Sequence, residues 1–245
     1  MCLHFLKRKK NTTNTDGFEI YVISLEQKEH RRLKRLFPNI SVNTQPGVDI
    51  RKVSTDNILK SKIIDAYTHH SILNGRTYHH DIGTHGAIGL AWANKLVFDK
   101  GDCDLFLFEE DYNIIDDSKL LEEVRLLQKN RHKFDIAVFG GIVRRKDSEG
   151  VRHVTKPVPW MPNGWVELNG GSFFLTHAVY YTSTGRKKIR DLLFKTPIDM
   201  QIDSLYGEWA AKHNIKILIQ NRYKTIRQRN DGNTTIQTDH CKTCK

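Results

Sequence analysis

The sequence predicts an α/β fold, a single domain built on a mainly parallel sheet with helices on both faces. Three observations carry that expectation. Short, almost continuously apolar runs, FEIYVISL from Phe18, DLFLF from Asp104 and DIAVF from Asp135, have the composition of strands covered on both faces. Segments with helical spacing of apolar residues alternate with them, which implies crossover connections. A length of 245 residues suits one such unit. Apolar residues at 38% and charged residues at 27% give an ordinary globular balance, so disorder, collagen and coiled coil are excluded.

Residues 1 to 16 are basic and Asn/Thr-rich with no apolar period, and read as a flexible arm before a domain spanning 17–237 and a short tail over 238–245. After the first strand, Glu26 to Phe37 reads as a helix with Leu33, Leu36 and Phe37 on one face, ended by Pro38-Asn39. A strand is expected near Ile40–Thr44. Helical spacing follows around Leu59, Ile63, Ala66 and Tyr67, and again from Gly86 to Phe98. The strand at Asp104–Phe108 precedes an amphipathic helix over Lys119–Gln128 and the strand at Asp135–Phe139. Gly140 to Gly171 has no clear period and reads as a long loop containing Trp160 and Trp165. An apolar stretch over Ser172–Tyr181, a helix near Ser183–Phe194, a helix opening at Thr196-Pro197 with Pro at its first position, and the strand IKILI complete the chain.

The balance of 39 Lys and Arg against 28 Asp and Glu leaves a formal charge of +11. Such a surplus attracts polyanions, from nucleic acids to nucleotide diphosphates, and does not choose among them. Four cysteines, Cys2, Cys103, Cys241 and Cys244, make no disulfide framework. His240, Cys241 and Cys244 amount to half a zinc site, so a reduced tail is expected. No apolar run reaches the length of a membrane span, and MCLHFLKRKK has the wrong charge order for a secretory signal. A cytoplasmic location is the default expectation.

The most informative local feature is Glu109-Glu110-Asp111, directly after an apolar strand. In open α/β sheets ligands sit beyond the carboxyl ends of strands. Residues i and i+2 of extended backbone share a side, so Glu109 and Asp111 are expected to converge while Glu110 points elsewhere. Converging carboxylates call for a cation, and hard oxygen donors suit Mg²⁺ or Mn²⁺. The competing reading is a solvated strand end.

Several separated segments, in order, resemble glycosyltransferase family 25, which includes bacterial lipooligosaccharide transferases and collagen hydroxylysine galactosyltransferases. Ile23-Ser24-Leu25 with His30-Arg31-Arg32 is similar to the family's opening strand and Asp-Arg-Arg pattern, with Ser24 and His30 as departures. Val48-Asp49 resembles its next short motif. Thr84-His85-Gly86-Ala87-Ile88-Gly89 resembles a Thr-x-Gly-x-Ile-Gly helix start, followed by Ala93-Asn94 where the family has Ser-His. Phe108-Glu109-Glu110-Asp111 is similar to its acidic motif. His177-Ala178-Val179-Tyr180 with Ser183 and Gly185, then Pro197-Ile198-Asp199, resemble two downstream segments, and Gln228 with Thr234-Thr235-Ile236 a final one. The resemblance implies a GT-A type, Rossmann-like fold and inverting transfer of a hexose from UDP-galactose or UDP-glucose, usually with Mn²⁺. The acceptor would be a glycan, a lipid-linked saccharide or a collagen-like chain. A collagen acceptor would place the protein in the secretory pathway.

On that resemblance Asp111 is the leading metal ligand, with Glu109 on the metal or donor and Glu110 supporting. Ser24, Leu25, Arg31, Asp49, Gly86 and Gly89 would contact the donor. Arg31 reads equally as an exposed helical arginine, and the two glycines as packing positions. Asp199 is the candidate base, with Asp203 one helical turn later as substitute; an Asp after Pro also caps a helix. Trp160 and Trp165 would form a sugar platform or be buried anchors. His69-His70 and His79-His80 read as ordinary helix and loop histidines. The alternative readings are a basic nucleic-acid-binding protein and a divalent-metal nuclease. No helix-turn-helix, zinc-finger or RNA-recognition signature supports a nucleic-acid partner.

Overall fold

The computed structural model describes residues 17–26, 29–78, 80–143, 154–162, 164–169, 173–195, 197–221 and 225–229. The basic arm at 1–16, Lys28, His79, Arg222, Lys224, the Thr234-Thr235-Ile236 segment, the tail at 238–245, Cys2, His240, Cys241 and Cys244 lie outside them. In chain order the elements are β1 (Phe18–Ser24), α1 (Arg31–Leu36), β2 (Val42–Pro46), α2 (Thr55–Lys60), α3 (Ala66–Asn74), α4 (His85–Phe98), β3 (Asp104–Glu109), β4 (Tyr112–Ile114), α5 (Asp117–Lys129) and β5 (Ile136–Val138). Then come β6 (Ile142–Val143), β7 (Val154–Pro157), β8 (Trp165–Asn169), β9 (Phe173–Phe174), β10 (Ala178–Tyr181), α6 (Ser183–Lys195), α7 (Ile202–His213), β11 (Ile217–Gln220) and β12 (Ile226–Gln228).

Eight strands form one sheet in the order β2-β1-β3-β10-β5-β11-β8-β7. β1 is parallel to β2 and β3, and β5 is parallel to β11. β10 lies antiparallel between β3 and β5, and β8 antiparallel between β11 and β7. Six strands, β2, β1, β3, β5, β11 and β7, therefore run one way and only β10 and β8 oppose them, so the sheet is mainly parallel as the apolar runs predict.

Alternation along β1 divides the core. Tyr21 and Ile23 face a cluster with Ala93, Val97 and Phe98 of α4, Ile189 and Leu193 of α6, and Leu205, Tyr206 and Trp209 of α7. Ile20 and Val22 face the opposite cluster, with Leu33 of α1 and Leu120, Val124 and Leu127 of α5. Helices thus cover both faces. A smaller core joins Ile58, Ile64, Ile82, Ile88 and Ile198 beneath α2, α3 and the start of α4.

Four expected elements differ from the structure. The first helix starts at Arg31 rather than Glu26. The Ser24 hydroxyl bonds both the N–H and the carbonyl of Glu26, a local turn that competes with helix. The long loop over 140–171 contains β7 and β8, which extend the sheet as an antiparallel edge pair. The helix expected at Thr196-Pro197 starts at Ile202. Ile198 instead bridges Ile64 and donates its N–H to the Ile63 carbonyl at 2.8 Å, while Met200 bridges Asp81, so these backbone groups serve an extended segment. The strand expected at Ile40–Thr44 lies two residues later.

Candidate functional site

The carboxyl ends of β1 and β3 lie side by side, with Ile23 paired to Glu109. α1 leaves β1 on one face, and α4 leads into β3 on the other. In the strand order β2-β1-β3 the chain reverses its direction of travel across the sheet at the β1–β3 boundary, a topological switch point, where open α/β sheets bind ligands.

The acidic triplet fans out here. Glu110 turns to β1, where its Oε2 accepts from Ser24 Oγ at 2.7 Å and from the Leu25 N–H at 3.0 Å. Glu109 turns toward β10: its N–H donates to the His177 carbonyl at 3.0 Å, and its Oε1 accepts from Thr176 Oγ1 at 2.7 Å. Asp111 meets β12, which pairs antiparallel with β4; Gln228 Nε2 donates to Oδ2 at 2.6 Å. Arg229 closes this side, its N–H donating to the Asp111 carbonyl at 2.7 Å and its Nη2 to the Glu110 carbonyl at 2.8 Å. Asp111 Oδ1 is buried and has no hydrogen-bond partner.

Asp203, in the first turn of α7, is the fourth carboxyl group. Its oxygens accept from the N–H groups of Leu175 at 3.1 Å and Ser204 at 2.7 Å. Leu175 sits at φ +78°, a conformation uncommon outside glycine. Such strain persists only where the surroundings enforce it.

Burial, and then the charges of Asp111 and Asp203, push the Glu109 carboxyl up to about 8. Burial also raises Asp111, opposed by the Gln228 hydrogen bond and reinforced by the Glu110 charge. Asp203 is raised by burial against its backbone donors. Burial lowers His177 to about 4, partly opposed by a hydrogen bond with the Ile226 backbone. Like charges held together in a dry crevice are unfavourable unless a cation or protons join them. The orphan oxygen of Asp111 and the neighbouring Glu109 fit a hard divalent ion as a half-shell of carboxylates, the arrangement Mg²⁺ takes when substrate phosphates and water supply the remaining oxygens. Among the described residues no group of three or more His, Cys, Asp and Glu is placed to hold an ion unaided.

Of the residues the sequence singles out, Ser24, Leu25, Glu109, Glu110, Asp111 and Asp203 come together. Arg31 does not join them; its side chain is 86% exposed and pairs with Glu29 at 2.9 Å. Asp49 binds Arg51, at 2.7 and 2.8 Å through the guanidinium, which holds its carboxyl well below the usual range. Gly86 lies in the first turn of α4, whose cap is Thr84. Gly89 is a packing position: a Cβ there would lie 2.1 Å from the Val48 carbonyl oxygen. Asp199 precedes α7 rather than opening it. Burial raises its carboxyl, and the Asp65 and Glu208 charges add to that; neither belongs to the triplet. The substitute, Asp203, is the one beside Glu109.

Trp165 is a buried anchor and not a lid, its Nε1 donating to Glu123 Oε1 at 3.0 Å. Trp160 packs against Phe134 beneath Lys133. His69 pairs with Asp56 and His80 stacks on Tyr78, as ordinary surface histidines. Cys103 is free, and burial pushes its thiol up to about 11, so it is a packed neutral group. Sequence reasoning missed Thr176, Leu175 and Arg229. The first two are set by the insertion of β10 beside β3, which no local pattern announces.

No family model matches the chain, and no curated protein matches it. Solved structures align with it only distantly. A UTP-bound UGPase from Acinetobacter baumannii aligns at 9% identity and a TM-score of 0.45, over 86% of this chain and 88% of that one. A UDP-glucose pyrophosphorylase complexed with UDP-glucose gives 11% and 0.44, over 85% and 92%. A CMP:2-keto-3-deoxy-manno-octonic acid synthetase complexed with CTP gives 9% and 0.40, over 85% and 90%. Likenesses this distant carry no information about the reaction.

Proposed function

We propose that the protein is a metal-dependent inverting glycosyltransferase of the family 25 type, moving galactose or glucose from its UDP donor to a hydroxyl acceptor. The observation that carries this reading is the orphan oxygen of Asp111 beside Glu109, at a switch point between the carboxyl ends of β1 and β3. The order of motifs in the sequence supports it independently.

Asp111 and Glu109 would hold Mn²⁺ or Mg²⁺, which stabilises the charge growing on the leaving diphosphate. Gln228 leaves Asp111 Oδ1 free by occupying Oδ2. Glu110 fastens the Ser24-Leu25 turn, fixing the end of β1 against which a nucleotide would lie. Asp203 is the residue we assign to accept the acceptor hydroxyl's proton; its raised carboxyl makes it a stronger base than a solvated aspartate.

The test is release of UDP from UDP-galactose and UDP-glucose with Mn²⁺, with and without chelator, for the protein and for Asp111→Ala. We expect metal-dependent release that falls by ~10²-fold or more in the variant. No release, together with no Mn²⁺-dependent UDP binding by calorimetry, would sink the reading. Pyrophosphate formation from UTP and glucose 1-phosphate would replace it with nucleotidyl transfer.

A further inference from the structure

Glu123, midway along α5, is completely buried although it carries a carboxyl group. Its Oε1 accepts from Trp165 Nε1 at 3.0 Å, and both oxygens accept from Gln220 Nε2, at 2.7 and 2.8 Å. Gln220, the last residue of β11, in turn grips Thr225. Its Nε2 reaches Thr225 Oγ1 at 2.9 Å, and its Oε1 accepts the Thr225 N–H at 3.2 Å. This fixes the Gln220 amide: nitrogen toward Glu123, oxygen toward the Thr225 backbone.

The chain from Thr225 leads directly to the acidic site. The Thr225 carbonyl accepts from the Ile115 N–H at 2.7 Å, β12 then pairs with β4, and Gln228 and Arg229 bind Asp111. A buried carboxylate is a poor source of stability, since an apolar residue of similar volume packs as well without the desolvation cost. Its use lies in directing one hydrogen-bond arrangement rather than another.

We infer that Glu123 is a positioning residue that sets the Asp111 carboxylate through the Gln220–Thr225 clasp and β12. The inference rests on Asp111 being a cation ligand. Glu123→Gln keeps the acceptor for Trp165 but sets an amide NH₂ against Gln220 Nε2. Gln220 must then turn and release Thr225. The paired variant Glu123→Gln with Gln220→Glu restores a donor facing an acceptor.

In the full chain, three quantities are measured: Mn²⁺ and Mn²⁺–UDP affinity by calorimetry, amide exchange at Arg229, and Tm. Glu123→Gln should weaken Mn²⁺–UDP binding by about tenfold or more, as changes behind a metal ligand do, and speed exchange at Arg229; the paired variant should recover both. A lower Tm with unchanged affinity and unchanged exchange at Arg229 overturns the inference, leaving Glu123 a purely structural residue. If the unaltered protein binds no Mn²⁺–UDP, the functional reading fails separately, and exchange at Arg229 alone decides whether Glu123 controls this segment. Should Glu123→Gln not fold, Thr225→Val opens the same clasp from its other side and is read by the same measurements.

Discussion

The two ends of the central strands handle buried charge in opposite ways. At the amino end, Asp104 receives Tyr180 Oη at 2.8 Å and the Ser183 N–H at 2.7 Å. Arg186, wholly buried, reaches Glu19 at 3.0 Å and the carbonyls of Cys103 and Val97, leaving only its Nε without a partner. Opposite charges meet there. At the carboxyl end, Glu109, Asp111 and Asp203 gather with the same sign, and an acceptor oxygen stands empty. One end pairs its buried charges with opposite ones; the other leaves like charges together and an acceptor oxygen unpaired.

The largest expected contrast is in stability. Arg186→Met removes the cation from Glu19 and should cost about 3 kcal/mol in urea unfolding, the lower end of the range for a broken buried pair because Glu19 is a third exposed. A loss under about 1 kcal/mol would mean that the amino end is no more committed to stability than the carboxyl end. Tyr180→Phe should cost about 1–2 kcal/mol, since Asp104 keeps only its backbone donor. Glu109→Gln should do the reverse, raising Tm by roughly 2–4 °C at pH 8, the shift that about 1 kcal/mol produces in a chain of this size. Its sign follows from linkage. The folded state holds the Glu109 proton more tightly than the unfolded chain, so stability is full below the ordinary carboxylate range and falls as pH rises toward about 8. The gain should therefore vanish near pH 4, and a gain that persists there would assign it to packing instead.

Much of this contrast is legible in the residues, and its limits have physical reasons. The triplet announces itself because an apolar strand ends in acids, and period-two geometry separates Glu110 from its neighbours. The choice between Asp199 and Asp203 is not local. Pro197 has the look of a helix start, yet Ile198 and Met200 find extended partners in Ile64 and Asp81, more than a hundred residues away. Likewise Trp165 looks like a loop aromatic until Glu123 is seen behind it. Leu175 and Thr176, which donate to Asp203 and Glu109, come from the approach to β10, a strand placed against β3 by tertiary packing alone.

The last short strand has a consequence in time. Residues 226–228 follow every strand of the eight-stranded sheet in the chain, yet they supply the groups that steady Asp111. A ribosome adding about 5–20 residues per second would expose the acids long before their clasp. The nascent protein can thus assemble the strands of its scaffold before the segment that steadies Asp111 has emerged.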